Sequence, residues 1–452
     1  MTHRPPNRAS QRSRWPDALS IVLVGLVVAI ATAAAVAPSL LPISEALGED
    51  GRKIAAVTIF VGSYLALAIG RIPGLLIDRA GIALVGASLM VASGALPLED
   101  AYRAVDLETI TLLLGIMIVV ASLRLSGFFA VANAWVMERA KRPLILLAAI
   151  VATSGFFSAF LVNDAICLVL APMVLELTVA MGRKPAPYLL AVAMASNIGS
   201  TATITGNPQN IMIGGFSRIA YTDFVLALGP IALLGLLITV ALIALFHRSE
   251  FTADVRLLAP RPNFHVNRVL VIRTLLATAL MIALFFAGVV PARAAIVIGG
   301  LLLLTRRVKS RRIYAEIDWA LLLMFAGLFI IVAGAERTLL TPDLVARVSR
   351  LHLDQLPILS AVTAVLSNLV SNVPAVLVIK PFIASLHDHD RAWLVVAMAS
   401  TLAGNFTVLG SIANLIVVQK AAASGVEIGF WDYFRIGAPL TIITLAIGTL
   451  WL

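Results

Sequence analysis

The chain has 452 residues, of which 60% are hydrophobic and 13% charged, with a mean hydropathy of +0.99. That composition excludes a soluble globular protein and describes a polytopic membrane protein embedded in a lipid bilayer. The net charge of +10 does not point to nucleic acid, because the basic residues stand at the ends of apolar runs, where they read as topology signals. A single cysteine, Cys167, excludes an internal disulfide and a thiolate metal cluster. No HExxH, GxSxG or phosphate-loop motif is present, so no enzyme and no cofactor is expected, sodium ions apart.

Residues 1–18 are polar and basic, and Leu19–Ala37 reads as a first spanning helix. It is expected to be retained, because its apolar run is longer than the core of a signal peptide. Spans follow at Ile54–Gly70, Gly81–Ala95 and Leu107–Leu123, and Arg124–Arg142 reads as an amphipathic interfacial helix. Pro143–Ala180 is apolar but interrupted by SAFLVNDA at Ser158–Ala165. Its arms, about 15 residues each, fall short of the ~20 that a crossing needs. They predict a re-entrant hairpin with Asn163 and Asp164 at its tip.

Tyr188–Phe216 carries SNIGSTATITGNPQN at Ser196–Asn210. Hydrocarbon offers nothing to so many polar groups, so this stretch is expected to be unwound and to line a wet site inside protein. A span at Phe224–Phe246 and a polar linker at 247–268 end the first half. The second half runs through spans at Val269–Val290, Ala294–Leu304 and Asp318–Ala333, then a mixed stretch at Glu336–Asp354. Leu356–Leu386 is interrupted by SNLVSNVP at Ser367–Pro374, and Trp393–Lys420 by GNFTVLGSIAN at Gly404–Asn414. Phe434–Leu452 closes the chain.

The two halves match residue by residue. Asp106 and Gly115 correspond to Asp318 and Gly327 at a separation of 212. Ser158, Asn163 and Pro172 correspond to Ser367, Asn372 and Pro381 at 209. Thr203, Gly206 and Asn210 correspond to Thr407, Gly410 and Asn414 at 204. The expected architecture is an all-α membrane protein of about eleven transmembrane helices in two repeats, each with a re-entrant hairpin and a broken helix. The expected divisions are 1–53 (cytoplasmic start and first helix), 54–246 (first repeat), 247–268 (cytoplasmic linker) and 269–452 (second repeat). With the N-terminus in the cytoplasm, 24 of the 34 Lys and Arg fall on the cytoplasmic side and the C-terminus lies outside. Hairpin one is then cytoplasmic, hairpin two external, and the repeats are inverted copies in a bacterial-type inner membrane.

Hairpin tips, broken helices ending in GNPQN and the inverted repeat resemble the ion-transporter superfamily. That superfamily includes divalent-anion/sodium symporters, citrate carriers, arsenite-efflux permeases and a sodium/proton antiporter branch. In the dicarboxylate branch each tip reads Ser-Asn-Thr. Here the tips read Val162-Asn163-Asp164 and Ser371-Asn372-Val373, which keep both asparagines. The phrase FLVNDAICLVLAPMVLELT is more similar to the arsenite-permease and uncharacterised anion-permease branches.

Broken helices bring free N–H groups, which attract anions, and free carbonyls, which attract cations, to the middle of the membrane. Amides and hydroxyls there can hold substrate oxygens or a sodium ion. The expected substrate contacts are Asn163, Ser371, Asn372, Thr203, Asn207, Thr407 and Ser411. The expected ion-coupling positions are Asp164, Asn163, Ser200, Gly206, Asn405 and Gly410. Asp164 is the acid that falls inside an interrupted apolar segment; it is expected to couple ion movement, with capping of the second hairpin arm as the alternative. Lys380 either attracts an anionic substrate or snorkels to the surface. Cys167 is expected to be a small core residue. The expected activity is secondary active transport of a small anion or oxyacid, such as a carboxylate or arsenite, coupled to protons or sodium. A sodium/proton antiporter and an ion channel stay open as alternatives, and a homodimer is the expected assembly.

Overall fold

The computed structural model describes residues 48–69, 76–251, 267–305, 307–339, 351–383 and 386–452. The expected first span Leu19–Ala37, most of the linker 247–268 and much of Glu336–Asp354 lie outside the described residues. Among the described residues every regular element is helical, and eight helices are long and apolar enough to cross a membrane. Two compact units are present. The smaller comprises the chain up to Val105 with Leu323–Leu340, and the larger comprises Asp106–Leu322 and Thr341–Leu452.

The smaller unit contains α1 (Gly48–Ile69), α2 (Arg79–Ala92) and α3 (Leu98–Ala104). The larger unit opens with α4 (Leu107–Ser126), α5 (Phe128–Arg139) and the hairpin α6 (Pro143–Leu161) and α7 (Asn163–Ala180). The broken helix follows as α8 (Pro185–Ser200) and α9 (Pro208–Ser217), then α10 (Tyr221–Phe246) and the short α11 (Arg248–Phe251). The second half has α12 (Arg268–Phe286), α13 (Pro291–Leu303), α14 (Ser310–Tyr314) and α15 (Trp319–Leu339), whose residues are divided between the two units. It ends with the hairpin α16 (Leu356–Val370) and α17 (Asn372–Ile383), the broken helix α18 (His389–Ala403) and α19 (Ile412–Ala423), and α20 (Phe430–Trp451).

Local chemistry sets these boundaries. Asp106 caps α4 by accepting from the N–H groups of Glu108 and Thr109 at 3.0 and 3.3 Å. Its repeat partner Asp318 accepts from Leu321 N–H at 3.0 Å at the start of α15. Both satisfy N–H groups that a helix leaves without intrahelical partners. Gly127 ends α4 in the left-handed region, with φ 83. At the far end of α13, Arg273 Nη2 donates to the carbonyls of Leu301 and Leu304, both at 2.8 Å. Arg183, between α7 and α8, donates from Nε to the buried Glu250 carboxylate at 2.6 Å. Burial pulls its guanidinium down, but the hydrogen bond and charge of Glu250 outweigh this, so the net shift is upward.

Hairpin one departs from its expected proportions. Its arms have 19 and 18 residues, because helical geometry continues to within one residue of the reversal. The reversal is made by Val162 at φ 64, and in hairpin two by its repeat partner Ser371 at φ 78. Asn163 N–H donates to the carbonyl of Gly206 at 2.9 Å, which ties tip one to the interruption between α8 and α9. The hairpin therefore ends level with a break inside its neighbour rather than passing it.

α8 lies at the centre of the larger unit, buried on all sides from Pro187 to Ser200 and packed on α6, α7, α10 and α19. α10 by contrast leaves Leu226, Leu233 and Leu237 exposed, an apolar face suited to lipid. Packing between halves is reciprocal. The second arm of hairpin one, α7, packs on α19, and the second arm of hairpin two, α17, packs on α9. Gly115 of α4 lies so close to α13 that a Cβ would stand 2.5 Å from the Ala295 carbonyl carbon. In the smaller unit a Cβ on Gly327 would stand 2.7 Å from that of Ala83. Gly115 and Gly327 are repeat partners, and so are Ala83 and Ala295 at the same separation of 212.

Backbone cannot retreat as a flexible side chain can. Gly115→Ala and Gly327→Ala are each expected to cost about 1–3 kcal/mol, the usual penalty of overpacking. Gly62→Ala, where nothing lies within 4 Å, should be neutral or slightly stabilising. Thermal unfolding of the three purified variants in one detergent checks this; equal melting temperatures would show that these helix contacts are loose.

Candidate functional site

The two interruptions are short. α8 ends at Ser200 and α9 begins at Pro208, so residues 201–207 are unwound. α18 ends at Ala403 and α19 begins at Ile412, with one 3-10 turn, Val408–Gly410, in between. Each interruption holds the same internal bonds. Asn210 Nδ2 donates to the carbonyls of Ser200 and Thr203 at 3.2 and 3.0 Å. Asn414 Nδ2 donates to those of Gly404 and Thr407 at 2.7 and 3.1 Å. Donors and acceptors all correspond at 204 residues. An amide side chain thus does for each break what the backbone ladder does within a helix. Gly206 and Gly410 are required by close approach and not by φ. A Cβ would stand 2.1 Å from the Ser200 carbonyl oxygen at Gly206, and 2.8 Å from that of Gly404 at Gly410.

Between the breaks lies Asn197, 1% exposed, on the last turns of α8. Its Oδ1 accepts from Asn163 Nδ2 and Ser411 Oγ, each at 3.0 Å. Its Nδ2 donates to Asn405 Oδ1 at 2.8 Å and Asn414 Oδ1 at 3.0 Å. All four hydrogen-bonding positions of the amide are used. The repeat partner of Asn197 is Thr401, which completes the exchange in the other direction. Thr401 Oγ1 accepts from Asn207 Nδ2 at 3.1 Å and Gln209 Nε2 at 3.2 Å, and donates to Asn210 Oδ1 at 3.4 Å. Asn207 Nδ2 also donates to Ser200 Oγ at 3.0 Å, and Ser200 Oγ donates to the Asn197 carbonyl at 2.8 Å. The two clusters form one network.

The hairpin tips attach at its edges. With its amide oriented by the surrounding hydrogen bonds, Asn372 donates to the Gly410 and Ser400 carbonyls at 3.2 Å and accepts from Gln209 Nε2 at 3.3 Å. Ser196 Oγ donates to the Asn163 carbonyl at 3.2 Å. Three oxygens on hairpin one, Ser154 Oγ, Ser158 Oγ and Asn163 Oδ1, are buried without a hydrogen-bond partner among the described residues. A buried polar atom in that state costs about 1–3 kcal/mol, so these are oxygens that a ligand can satisfy.

Of the positions singled out by sequence, Asn163, Asn372, Asn207, Ser200, Asn405 and Ser411 enter this network by their side chains. Thr203 donates to the Ala159 carbonyl of α6 and so braces the hairpin from outside it. Thr407 contributes its carbonyl, and Ser371 makes the turn. Asp164 stands apart. It occupies the first turn of α7, where Val162 is the N-cap, and lines a separate cavity of about 80 Å³. That cavity also meets Arg124, Glu316 and Asp318, and Arg124 is ion-paired with Glu316. Lys380 packs over the Phe216 ring at 5.0 Å from its centroid, and Cys167 is fully buried.

Asn197, Thr401 and Gln209 were not singled out by sequence. The first two follow the matched Ala-Met-Ala-Ser phrases, and Gln209 lies inside GNPQN, so the repeat could have marked them. The Arg124–Glu316 pair joins residues 192 apart with no local signal.

Residues 64–403 match the model of the family described as citrate transporter. The chain belongs to the citrate transporter family. An uncharacterized transporter of Mycobacterium tuberculosis is 29% identical over 424 residues, spanning 88% of this chain and 98% of the relative. A silicon efflux transporter of Oryza sativa subsp. japonica is 27% identical over 469 residues, spanning 88% and 97%. The crystal structure of the YdaH transporter of Alcanivorax borkumensis, described as having an unusual topology, shares the fold with a TM-score of 0.55. It is 14% identical and covers 96% of this chain and 97% of its own. Family membership makes this chain a membrane transporter.

Replacing Asn197 with Leu keeps similar volume and strands four buried groups at once. Asn197→Leu is expected to lose about 3 kcal/mol or more of stability. Thr239→Val, which removes only a bond to the Gly235 carbonyl within its own helix, should change it by less than about 1 kcal/mol. Differential melting of both variants measures the gap; similar melting temperatures would show that the network is dispensable.

Proposed function

We propose that this protein is a secondary active transporter that carries a small anion or weak oxyacid across the inner membrane, coupled to protons or sodium. The observation that carries this reading is the convergence of two hairpin tips and two broken helices on one buried network, with Ser158 Oγ and Asn163 Oδ1 left unpartnered at its edge. Such oxygens suit a sodium ion, and the hydroxyl of a substrate acid could donate to them. The network is closed, with Asn197 and Thr203 1% exposed and Asn207 0%. A buried barrier of this kind favours a carrier over an open channel. Substrate classes to test follow from the relatives: carboxylates from the family description, and oxyacids from the silicon efflux relative.

Asp164 is the coupling group in this reading. It lies in the first turn of α7 and lines a cavity that also holds Arg124, Glu316 and Asp318. An acid placed within a membrane segment is suited to carry a proton or hold a cation as access changes. The ion pair of Arg124 and Glu316 lies on the side that the charge distribution assigns to the cytoplasm. So do both members of Arg183–Glu250, while Arg337–Asp100 falls on the opposite side. Each of these pairs joins segments that the charge distribution places on one side, which supports that order of crossings, while the cytoplasmic N-terminus rests on the Lys and Arg bias alone.

Asp164→Asn keeps shape and removes charge. In proteoliposomes with an imposed proton or sodium gradient, the parent should concentrate citrate, arsenite or silicic acid. Asp164→Asn should lose accumulation by at least about tenfold, equivalent to about 1.4 kcal/mol of coupling, and the ion dependence of residual exchange should flatten. An Asp164→Asn protein that still concentrates substrate with unchanged ion dependence would remove Asp164 from the mechanism.

A further inference from the structure

A second cavity, of about 500 Å³, lies on the opposite side of the network from Asp164, between α4, α9, α10, α12 and α13. Charge distribution assigns this end to the outside of the cell. Its volume falls within the usual ~300–1,000 Å³ of small-molecule sites. Two arginines line it, Arg218 at the end of α9 and Arg293 in the first turn of α13. Neither guanidinium has an ion-pair or hydrogen-bond partner among the described residues. Arg218 is held there by a left-handed backbone at φ 55, a conformation that costs a non-glycine residue free energy. The N-termini of α10 and α13 border the same space, and neither has a side-chain cap. The positive ends of these helices add to the potential.

The opposing carboxylates are two, Glu108 in the cavity wall and Asp106 beside it, and of these Asp106 is engaged. Glu108 lines the cavity from the first turn of α4, facing that helix's own positive end. Asp106, near Gly215, accepts from two backbone N–H groups and from Thr109 Oγ1 at 2.7 Å. Asp223 sits in the first turn of α10 and does not line the cavity.

The cavity wall is also joined to hairpin one. Tyr221 forms part of its wall, with its ring against Phe285 and Phe286 at 5.3 and 5.2 Å between centroids. Its hydroxyl meets Thr205 Oγ1 at 2.8 Å, Thr205 Oγ1 meets Thr203 Oγ1 at 3.3 Å, and Thr203 donates to the Ala159 carbonyl. A chain of three hydroxyls thus joins the cavity wall to hairpin one, four residues before Asn163.

We infer that this cavity is an antechamber that binds the anionic form of the substrate before it reaches the hairpins. Arg218 and Arg293 are its charged contacts, and Tyr221 is its link to hairpin one. The inference rests on the transport reading above and narrows it. Two guanidiniums against the one lining carboxylate, Glu108, leave the cavity net positive, which selects a carboxylate or oxyanion over a neutral acid.

The test uses the full chain with Ile219→Cys, a position in the cavity wall, and compares thiol labelling by an anionic and a cationic methanethiosulfonate. Each rate is normalised to its rate with free 2-mercaptoethanol, and the parent protein, whose Cys167 is fully buried, supplies the background. The anionic reagent should be favoured by about tenfold, the low end of electrostatic focusing in a cleft. Added Arg218→Gln and Arg293→Gln should bring the two rates within about twofold, and citrate should slow labelling only when both arginines are present. Citrate protection of Ile219→Cys alone needs no arginine variant, so misfolding of the double variant leaves the test intact. A cationic preference, or an anionic one indifferent to both citrate and the arginines, overturns the inference. Anion preference with citrate protection but no substrate movement in proteoliposomes would leave the site standing and remove the transport reading. Transport without anion preference would remove only the antechamber.

Discussion

The amide of Asn197 is the contact on which the larger unit depends. It belongs to the first half of the chain, yet three of its four partners belong to the second half and the fourth is the tip of hairpin one. A buried amide with any position unmet would destabilise the site by more than a single hydrogen bond contributes. Its partners are constrained too. Asn414 cannot turn its amide over without releasing the Gly404 and Thr407 carbonyls that hold the second interruption together. The register between halves is therefore set by a network in which each amide's orientation is dictated by its neighbours.

That network is possible only because backbone comes unusually close to backbone around it. A Cβ on Gly199 would stand 2.2 Å from the Gly155 carbonyl oxygen, which lets α6 and α8 approach until the tip of hairpin one reaches the break. A Cβ on Gly437 would stand 2.2 Å from the Asn405 carbonyl oxygen, so α20 closes on the second break in the same way. In a lipid environment, where apolar surfaces gain nothing by leaving the solvent, contact of this kind and hydrogen bonds between helices supply the association energy. Small residues and polar amides are thus two parts of one solution.

Electrostatics divides the unit into unlike ends. One cavity brings Asp164 near the paired Arg124 and Glu316, with Asp318 beside them. The other presents Arg218 and Arg293, which have no ion-pair or hydrogen-bond partner for their guanidiniums among the described residues. Sequence repeats would allow the two ends to be equivalent, but Asp164 is not repeated: position 373, which matches it, is Val373. The scaffold repeats the amides of its tips and breaks, Asn163 with Asn372 and Asn210 with Asn414, and differs in the charges of its two cavities.

The membrane class, the two halves, the hairpins and both interruptions were legible in the sequence. Lipid and backbone impose them locally: an apolar run either satisfies its own polar groups as helix or must be broken where Asn, Gly and Pro appear. The arm lengths of hairpin one were not legible, because Val162 makes the reversal in a conformation that β-branched residues seldom adopt, and no turn residue announces it. Nor were the partners of Asn197, the pairing of Arg124 with Glu316, or the separation of Asp164 from the amide network. Each depends on which faces of distant helices meet. Local composition can say that a residue must find a partner in hydrocarbon, but only the packing of the whole unit decides which one it finds.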